Sequence, residues 1–282
     1  MRLLTDYARV RVPASAVLCS DSEGEHISVA FELWDDYAAT VTVGESRATI
    51  TGPSKDVAPR DGQHPTIMAM LATLDKLQAP QAGIALIGQT QIPPAVGLGA
   101  RSAAIVAGIS LVRELVGNPE DFSDADAFEL AISLGASPAR VPAIIQGGVS
   151  LSWNDGDVHR AVSIPQDSPL ATTLLVAHRR STTGSRYARG PVAALTHALT
   201  QDPQLLSSLC QRVITQGSDD KAVVYNGYFL EALHKAQWPA VFAGSGPAIV
   251  LFADLSPDLQ KRFTGEGYVC IATSVANSRL DD

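Results

Sequence analysis

Ile92-Pro93-Pro94-Ala95-Val96-Gly97-Leu98-Gly99-Ala100-Arg101-Ser102-Ala103-Ala104 is a glycine-punctuated turn that runs straight into an apolar repeat. Gly97 and Gly99 can adopt backbone angles closed to residues with a Cβ, and they let the main chain approach a bound group closely. Beyond them Ile105, Ile109, Val112 and Val116 fall on one face of a helix. A glycine turn opening into a helix leaves the first backbone N–H groups unpaired, with the helix dipole behind them. That is an anion site, most often for phosphate. The other reading is a tight strand-to-helix turn that binds nothing. The spacing is neither Gly-x-x-x-x-Gly-Lys-Ser/Thr nor Gly-x-Gly-x-x-Gly, which excludes the two commonest nucleotide loops.

The rest of the chain bounds what this turn can serve. With 282 residues there is room for two modest domains or one large one, and enough apolar surface for a core. A net charge of −8 with 18% charged residues argues against nucleic acid and anionic membrane as partners, since both want a basic face. Cys19, Cys210 and Cys270 are odd in number and widely spaced, which disfavours structural zinc and a disulfide framework and suits a reducing compartment. No signal-like apolar region follows Met1, and no apolar run nears the roughly eighteen residues of a membrane span. The expected location is cytoplasmic.

Periodicity places a strand at residues 8–13, stopped by Pro13, and strands at 27–33 and 38–43 with Trp34-Asp35-Asp36 as the turn between them. Residues 66–77 put Ile67, Met70, Leu71, Leu74 and Leu77 on one face of a core helix, and 83–87 form a buried strand feeding the glycine turn. Asp124 can cap a helix running to about Leu134. A break in pattern at 165–169 is followed by a strand at 174–177 and helical runs at 192–199, 205–213 and 223–236. Strands at 240–242 and 248–253 then flank Gly244-Ser245-Gly246-Pro247. A helix at 257–263 and an edge strand at 268–272 give a β-α-β ending of ferredoxin type. Asp35, Asp36, Asp155 and Asp157 read as surface turn acids, and His26, His159 and His178 show no partner pattern.

The opening stretch resembles the Pro-x-x-x-Gly-Leu-Gly-Ser-Ser-Ala-Ala loop of the GHMP kinases, which include the galactose, homoserine and mevalonate kinases. In that family the loop holds the ATP phosphates. Pro93, Gly97, Leu98, Gly99, Ala103 and Ala104 match in register, while Ala100 and Arg101 stand at the serine pair and Ser102 comes one place late. The resemblance implies a nucleotide-binding set of Pro93, Gly97, Leu98, Gly99, Ala100, Arg101, Ser102 and Ala103. Further segments are similar to homoserine kinases: Val12-Pro13-Ala14-Ser15, residues 134–153, Ser181-Thr182 with Arg186, and Gly244-Ser245-Gly246-Pro247. From these the resemblance implies Thr182 near the transferred phosphoryl and Arg186 on the substrate carboxylate as the catalytic pair.

The chain also departs from the family pattern. Gly135 stands at the magnesium-binding Glu, Ala139-Arg140 at an Asp-Asn pair, Arg101 at the metal-contacting Ser, and Val17 at an Asn. Mg²⁺ wants hard oxygen ligands at near-octahedral geometry, and neither Gly nor Arg supplies one. No metal ligand is therefore assigned and Mg²⁺ is in doubt, with Asp21 and Glu23 as acids that could replace the missing carboxylate.

The implied fold is α+β, a two-domain GHMP-kinase-like fold with a nucleotide domain over residues 1–168 and a ferredoxin-like domain over 169–282. The implied function is homoserine-kinase-like ATP-dependent phosphoryl transfer to the hydroxyl of a small metabolite, with homoserine as the default. The alternatives are a catalytically impaired relative that binds nucleotide or metabolite, or a kinase for another small alcohol. A small-molecule substrate and ATP are the expected partners, nucleic acid and membrane are not, and a homodimer is the assembly to test.

Overall fold

A long antiparallel hairpin of β1 (Tyr7–Ser20) and β2 (His26–Thr42) organises the first half of the chain. The computed structural model describes residues 2–166, 169–177, 188–214 and 221–276. Thr182, Arg186 and His178 lie outside them. Two of the expected strand ends are absent. β1 does not stop at Pro13 but passes through it, with a register shift at Pro13/Ala14 that accommodates the missing N–H and a second one at Val17/Cys19. β2 likewise runs unbroken through Trp34-Asp35-Asp36, because β1 pairs this stretch along one edge and β4 takes up the other from Asp36 onward.

The first sheet has the order β3-β4-β2-β5-β6, with β1 along the second edge of β2. Its other strands are β3 (Arg47–Thr51), β4 (Gly83–Gln89), β5 (Val149–Asp155) and β6 (Val158–Ile164). β3 and β4 are parallel and joined through α1 (Pro65–Lys76), whose Ile67, Met70 and Leu74 are buried as the spacing predicts. α2 (Ala100–Val116) packs on α1 and on β1. Thr66 Oγ1 donates to the Ala104 carbonyl at 2.9 Å across the helix pair. α3 (Asp124–Ser133) is capped by Ser123, one residue before the expected Asp124, because Ser123 and Asp126 form a reciprocal capping box. A short α4 (Val141–Gln146) leads into β5.

The second half contains β7 (Ala171–Ala177), α5 (Val192–Thr200), α6 (Leu206–Cys210), α7 (Lys221–Lys235), β8 (Ala240–Phe242), β9 (Ile249–Leu251), α8 (Pro257–Gly265) and β10 (Tyr268–Ser274). Its antiparallel sheet has the order β10-β7-β9-β8, so the first strand lies between the fourth and the third. That is the ferredoxin-like arrangement, with β10 on an edge as expected. The fold is α+β.

The two sheets share a core. One apolar cluster holds Val29 and Phe31 of β2, Ile105 and Leu111 of α2, and Val241 and Val250 of the second sheet. A smaller cluster around Leu175, Phe242, Phe263 and Tyr268 belongs to the second sheet alone. Val275 and Ala276 extend β10 onto the first sheet: Ala276 N–H donates to the Ala30 carbonyl at 2.9 Å, and Gly148 N–H donates to the Ala276 carbonyl. We propose the boundary near residue 168 as a division between sheets rather than between cores.

Candidate functional site

The glycine loop is held from beneath before it is available to anything above. Gln91 and Ile92 N–H groups donate to Asp35 Oδ1 at 2.7 and 2.9 Å, and the Tyr37 hydroxyl donates to Oδ2 at 3.4 Å. Asp35 sits in mid-strand and is 1% exposed, so its reading as a surface turn acid is corrected: β1 pairs it along one edge and the Gln91-Ile92 main chain bonds its carboxylate. Burial pushes its carboxyl up to about 6, although the two N–H donors pull the other way. Further along, Ser15 N–H donates to the Leu98 carbonyl at 3.1 Å and Ala248 N–H to the Val96 carbonyl at 3.0 Å. The loop is thus tied to β1 and β2 and also to the second sheet.

Its two glycines are required by space as well as by angle. Gly97 has φ 96°, and a Cβ there would lie 1.9 Å from the Ala243 carbonyl oxygen. Gly99 has φ 78°, and a Cβ there would lie 2.6 Å from Ser15 Oγ. Gly99 is also the N-cap of α2 and so brings no side-chain acceptor. The contrast with α1, α3 and α8 is informative, since His64, Ser123 and Ser256 each cap their helix with a side chain. In α2 the Ala103 N–H reaches the Gly99 carbonyl, while those of Ala100, Arg101 and Ser102 have no acceptor within the helix. A buried seventeen-residue helix therefore presents an uncapped positive end.

That end opens on a cleft of about 550 Å³ lined by Pro94, Ala95, the loop from Gly97, the 135–140 segment and Ser245-Gly246. Two guanidinium groups enter it with different tasks. Arg140 is 8% exposed, and its Nη1 donates to the Gly97 carbonyl at 2.6 Å and the Ser15 carbonyl at 3.1 Å, latching the back of the loop to β1. Arg101 is exposed on the first turn of α2 and has no ion-pair partner among the described residues. Its Nη2 lies 3.7 Å from where a Cβ of residue 135 would be. Ser102 Oγ accepts from Ser137 N–H at 3.2 Å, joining the helix start to the facing segment.

Of the eight residues expected at the nucleotide, Gly97, Gly99, Ala100, Arg101 and Ser102 line the cleft. Leu98 and Ala103 are fully buried beneath the loop, and the half-buried Pro93 is not on the lining, where Pro94 and Ala95 stand instead. Asp21 and Glu23 do not line it either. Asp21 accepts from Glu23 and Glu25 N–H at 2.9 and 3.0 Å and closes the β1–β2 turn. The role of Asp35 and the latch of Arg140 had no local sequence signal, because each acts on backbone far away in the chain. Ser245 and Gly246 carried a signal in the Gly-Ser-Gly-Pro turn.

A model of the GHMP kinases N terminal domain matches residues 66–148, which span α1, the glycine loop, α2, α3 and α4. Over those residues the chain is similar to the N-terminal domain of the GHMP kinases. A homoserine kinase of Streptomyces avermitilis is 29% identical over 276 residues, covering 92% of this chain and 90% of that protein. Among solved structures, a homoserine kinase from Cytophaga hutchinsonii superposes with a TM-score of 0.69 at 17% identity, over 98% of this chain and 96% of that one. The L. major mevalonate kinase in complex with R-mevalonate gives a TM-score of 0.68 at 15% identity, over 98% and 99% of the two chains. At these identities the two structures establish the GHMP kinase fold. Among the described residues no helix is long and apolar enough to cross a membrane.

The divalent cation implied by the family resemblance does not fit this lining. The described residues of the cleft bring three serine hydroxyls, two guanidinium groups and no carboxylate. Mg²⁺ is normally held through one or two carboxylates together with phosphate oxygens.

Proposed function

We propose that this chain is an ATP-dependent phosphotransferase of homoserine-kinase type, moving the γ-phosphoryl group to the hydroxyl of a small metabolite, with homoserine the default. The observation that carries this reading is the uncapped start of α2, reached through two glycines and opening on the Arg- and Ser-lined cleft. Phosphoryl transfer needs positioning and stabilisation of charge on the phosphate oxygens more than covalent help from the protein. The N–H groups at 100–102 suit the polyphosphate oxygens, and Arg101 adds a fixed positive charge. The substrate hydroxyl oxygen bonds to the γ-phosphorus as the bond to the bridging oxygen breaks, with ADP leaving and the hydroxyl proton passing to solvent. Thr182 beside the transferred group and Arg186 on the substrate carboxylate complete the proposal. A homodimer belongs to the same reading and is tested by light scattering.

The test is a coupled assay of ADP release from ATP with homoserine and with a panel of other small hydroxy compounds, alongside calorimetry with ATP. Turnover on homoserine, lost in Arg186→Ala through a raised KM, is the expected outcome. ATP binding without turnover on any compound would make the chain a binding homologue instead.

A further inference from the structure

We infer that the cleft takes the nucleotide polyphosphate as the free anion, with the Arg101 guanidinium as its counter-charge in place of a divalent cation. The inference rests on the nucleotide reading above and deepens it. Its basis is the distribution of charge in the lining. Arg101 leans across Gly135, its Nη2 only 3.7 Å from the missing Cβ, so the space left by a side chain at 135 is adjacent to a guanidinium. Arg140 adds a second positive charge, buried behind the loop and fixed on the Gly97 and Ser15 carbonyls.

A cation entering between them meets like charge and finds few ligands. Of the hydroxyls, Ser102 Oγ already accepts from Ser137 N–H, and the loop's own acid, Asp35, is occupied beneath the main chain by Gln91 and Ile92. A guanidinium, by contrast, stays charged at any working pH and presents parallel N–H donors that match two oxygens of one phosphate. Because Arg140 is latched, Arg101 is the group able to follow the phosphates. Mg²⁺ complexation lowers the negative charge of the nucleotide and inserts a cation where Arg101 stands, so it opposes binding in this cleft.

Isothermal calorimetry with ATP, once in EDTA and once in excess Mg²⁺, tests this on the whole chain, on Arg101→Gln and on Arg101→Glu. The wild type is expected to bind ATP more tightly in EDTA than in Mg²⁺. Arg101→Gln loses about tenfold or more of the affinity in EDTA, as befits one charge-assisted contact, and loses less in Mg²⁺. Arg101→Glu places a carboxylate in the cleft and reverses the preference, binding only with Mg²⁺. Thermal melts of both variants matching the wild type exclude a folding defect, which the exposure of Arg101 leads us to expect. A wild-type affinity that rises tenfold or more on adding Mg²⁺ overturns the inference and leaves the nucleotide reading standing. Absence of ATP binding in both conditions overturns the nucleotide reading, and this inference with it.

Discussion

At the scale of single residues, two buried titratable groups below the glycine loop work against each other. Asp35 holds the Gln91 and Ile92 N–H groups, and His64 caps α1 by accepting from Thr66 N–H through Nδ1 at 3.2 Å. Tyr37 joins them, bonding Asp35 and meeting the His64 ring edge-on at 6.2 Å between centroids. Burial raises the Asp35 carboxyl to about 6 and lowers the His64 imidazole to about 4. The folded state therefore holds a proton on Asp35 between about pH 4 and 6 that the unfolded chain has released, and stability falls as pH rises through that window. His64 does the reverse. The unfolded chain binds a proton below about 6.5 that the folded chain refuses until about 4, so stability rises with pH over the same range. Each effect is about 3 kcal/mol, and in the wild type they largely cancel. Asp35→Asn should then unmask a stability that climbs from pH 4 to 6.5, and His64→Asn one that declines, as read by urea unfolding at several pH values. Parallel pH profiles in the two variants would contradict the assignment. Gly97 gives a second prediction. In Gly97→Ala the new methyl must displace the Ala243 carbonyl, 1.9 Å away, so the cleft should lose ATP binding while the far-UV spectrum changes little. Unaltered calorimetry with ATP would show that the loop adapts.

At the scale of elements, α2 is the part whose position decides the site. Its flank lies close against α1, and at Gly108 the two helices leave no room for a side chain. A Cβ at 108 would sit 2.3 Å from the Thr66 carbonyl oxygen and 2.7 Å from the Ala69 Cβ. Replacing a mid-helix glycine by alanine ordinarily gains about 1 kcal/mol of helix propensity, whereas overpacking a tight crossing costs about 1–3 kcal/mol. The contact is with backbone, which cannot rotate away, so the second effect prevails. Gly108→Ala should lower the thermal midpoint and weaken ATP binding together, since separating the helices also shifts the loop. A raised midpoint would mean that the crossing relaxes without strain.

At the scale of the whole molecule, the shared core should make the two sheets unfold as one cooperative unit. Val29 on the first sheet and Val250 on the second are both fully buried in the same apolar cluster. Truncating either to alanine removes about 2 kcal/mol of burial and packing. Because the cluster is continuous, differential scanning calorimetry should show a single transition that either variant lowers. Two transitions, each moved by one of the variants, would instead support independent folding on either side of residue 168. The cleft depends on this continuity: its floor is the loop of the first half and one wall is Ser245-Gly246 of the second, joined through the bond from Ala248 N–H to the Val96 carbonyl.

What was legible in the sequence was carried by local order. The helix period of residues 66–77 and of α2, the glycine loop between them, and the β-α-β ending were all legible, because each is written in neighbours a few positions apart. The family loop was readable for the same reason, as were the replacement of the metal-contacting Ser by Arg101 and of the magnesium-binding Glu by Gly135. Tertiary structure decided the rest. Pro13 and Trp34-Asp35-Asp36 have the local character of strand ends, yet pairing on flanking strands carries β1 and β2 straight through them. Asp35 became a buried anchor for a loop more than fifty residues on, and Arg140 was turned back onto Gly97 and Ser15 instead of into the cleft as a free charge. Only Arg101 of the two arginines remained available. Periodicity reports which face of an element is apolar, but which distant carbonyl or N–H a buried charge must satisfy depends on what the folded chain packs over it, where desolvation leaves no other partner.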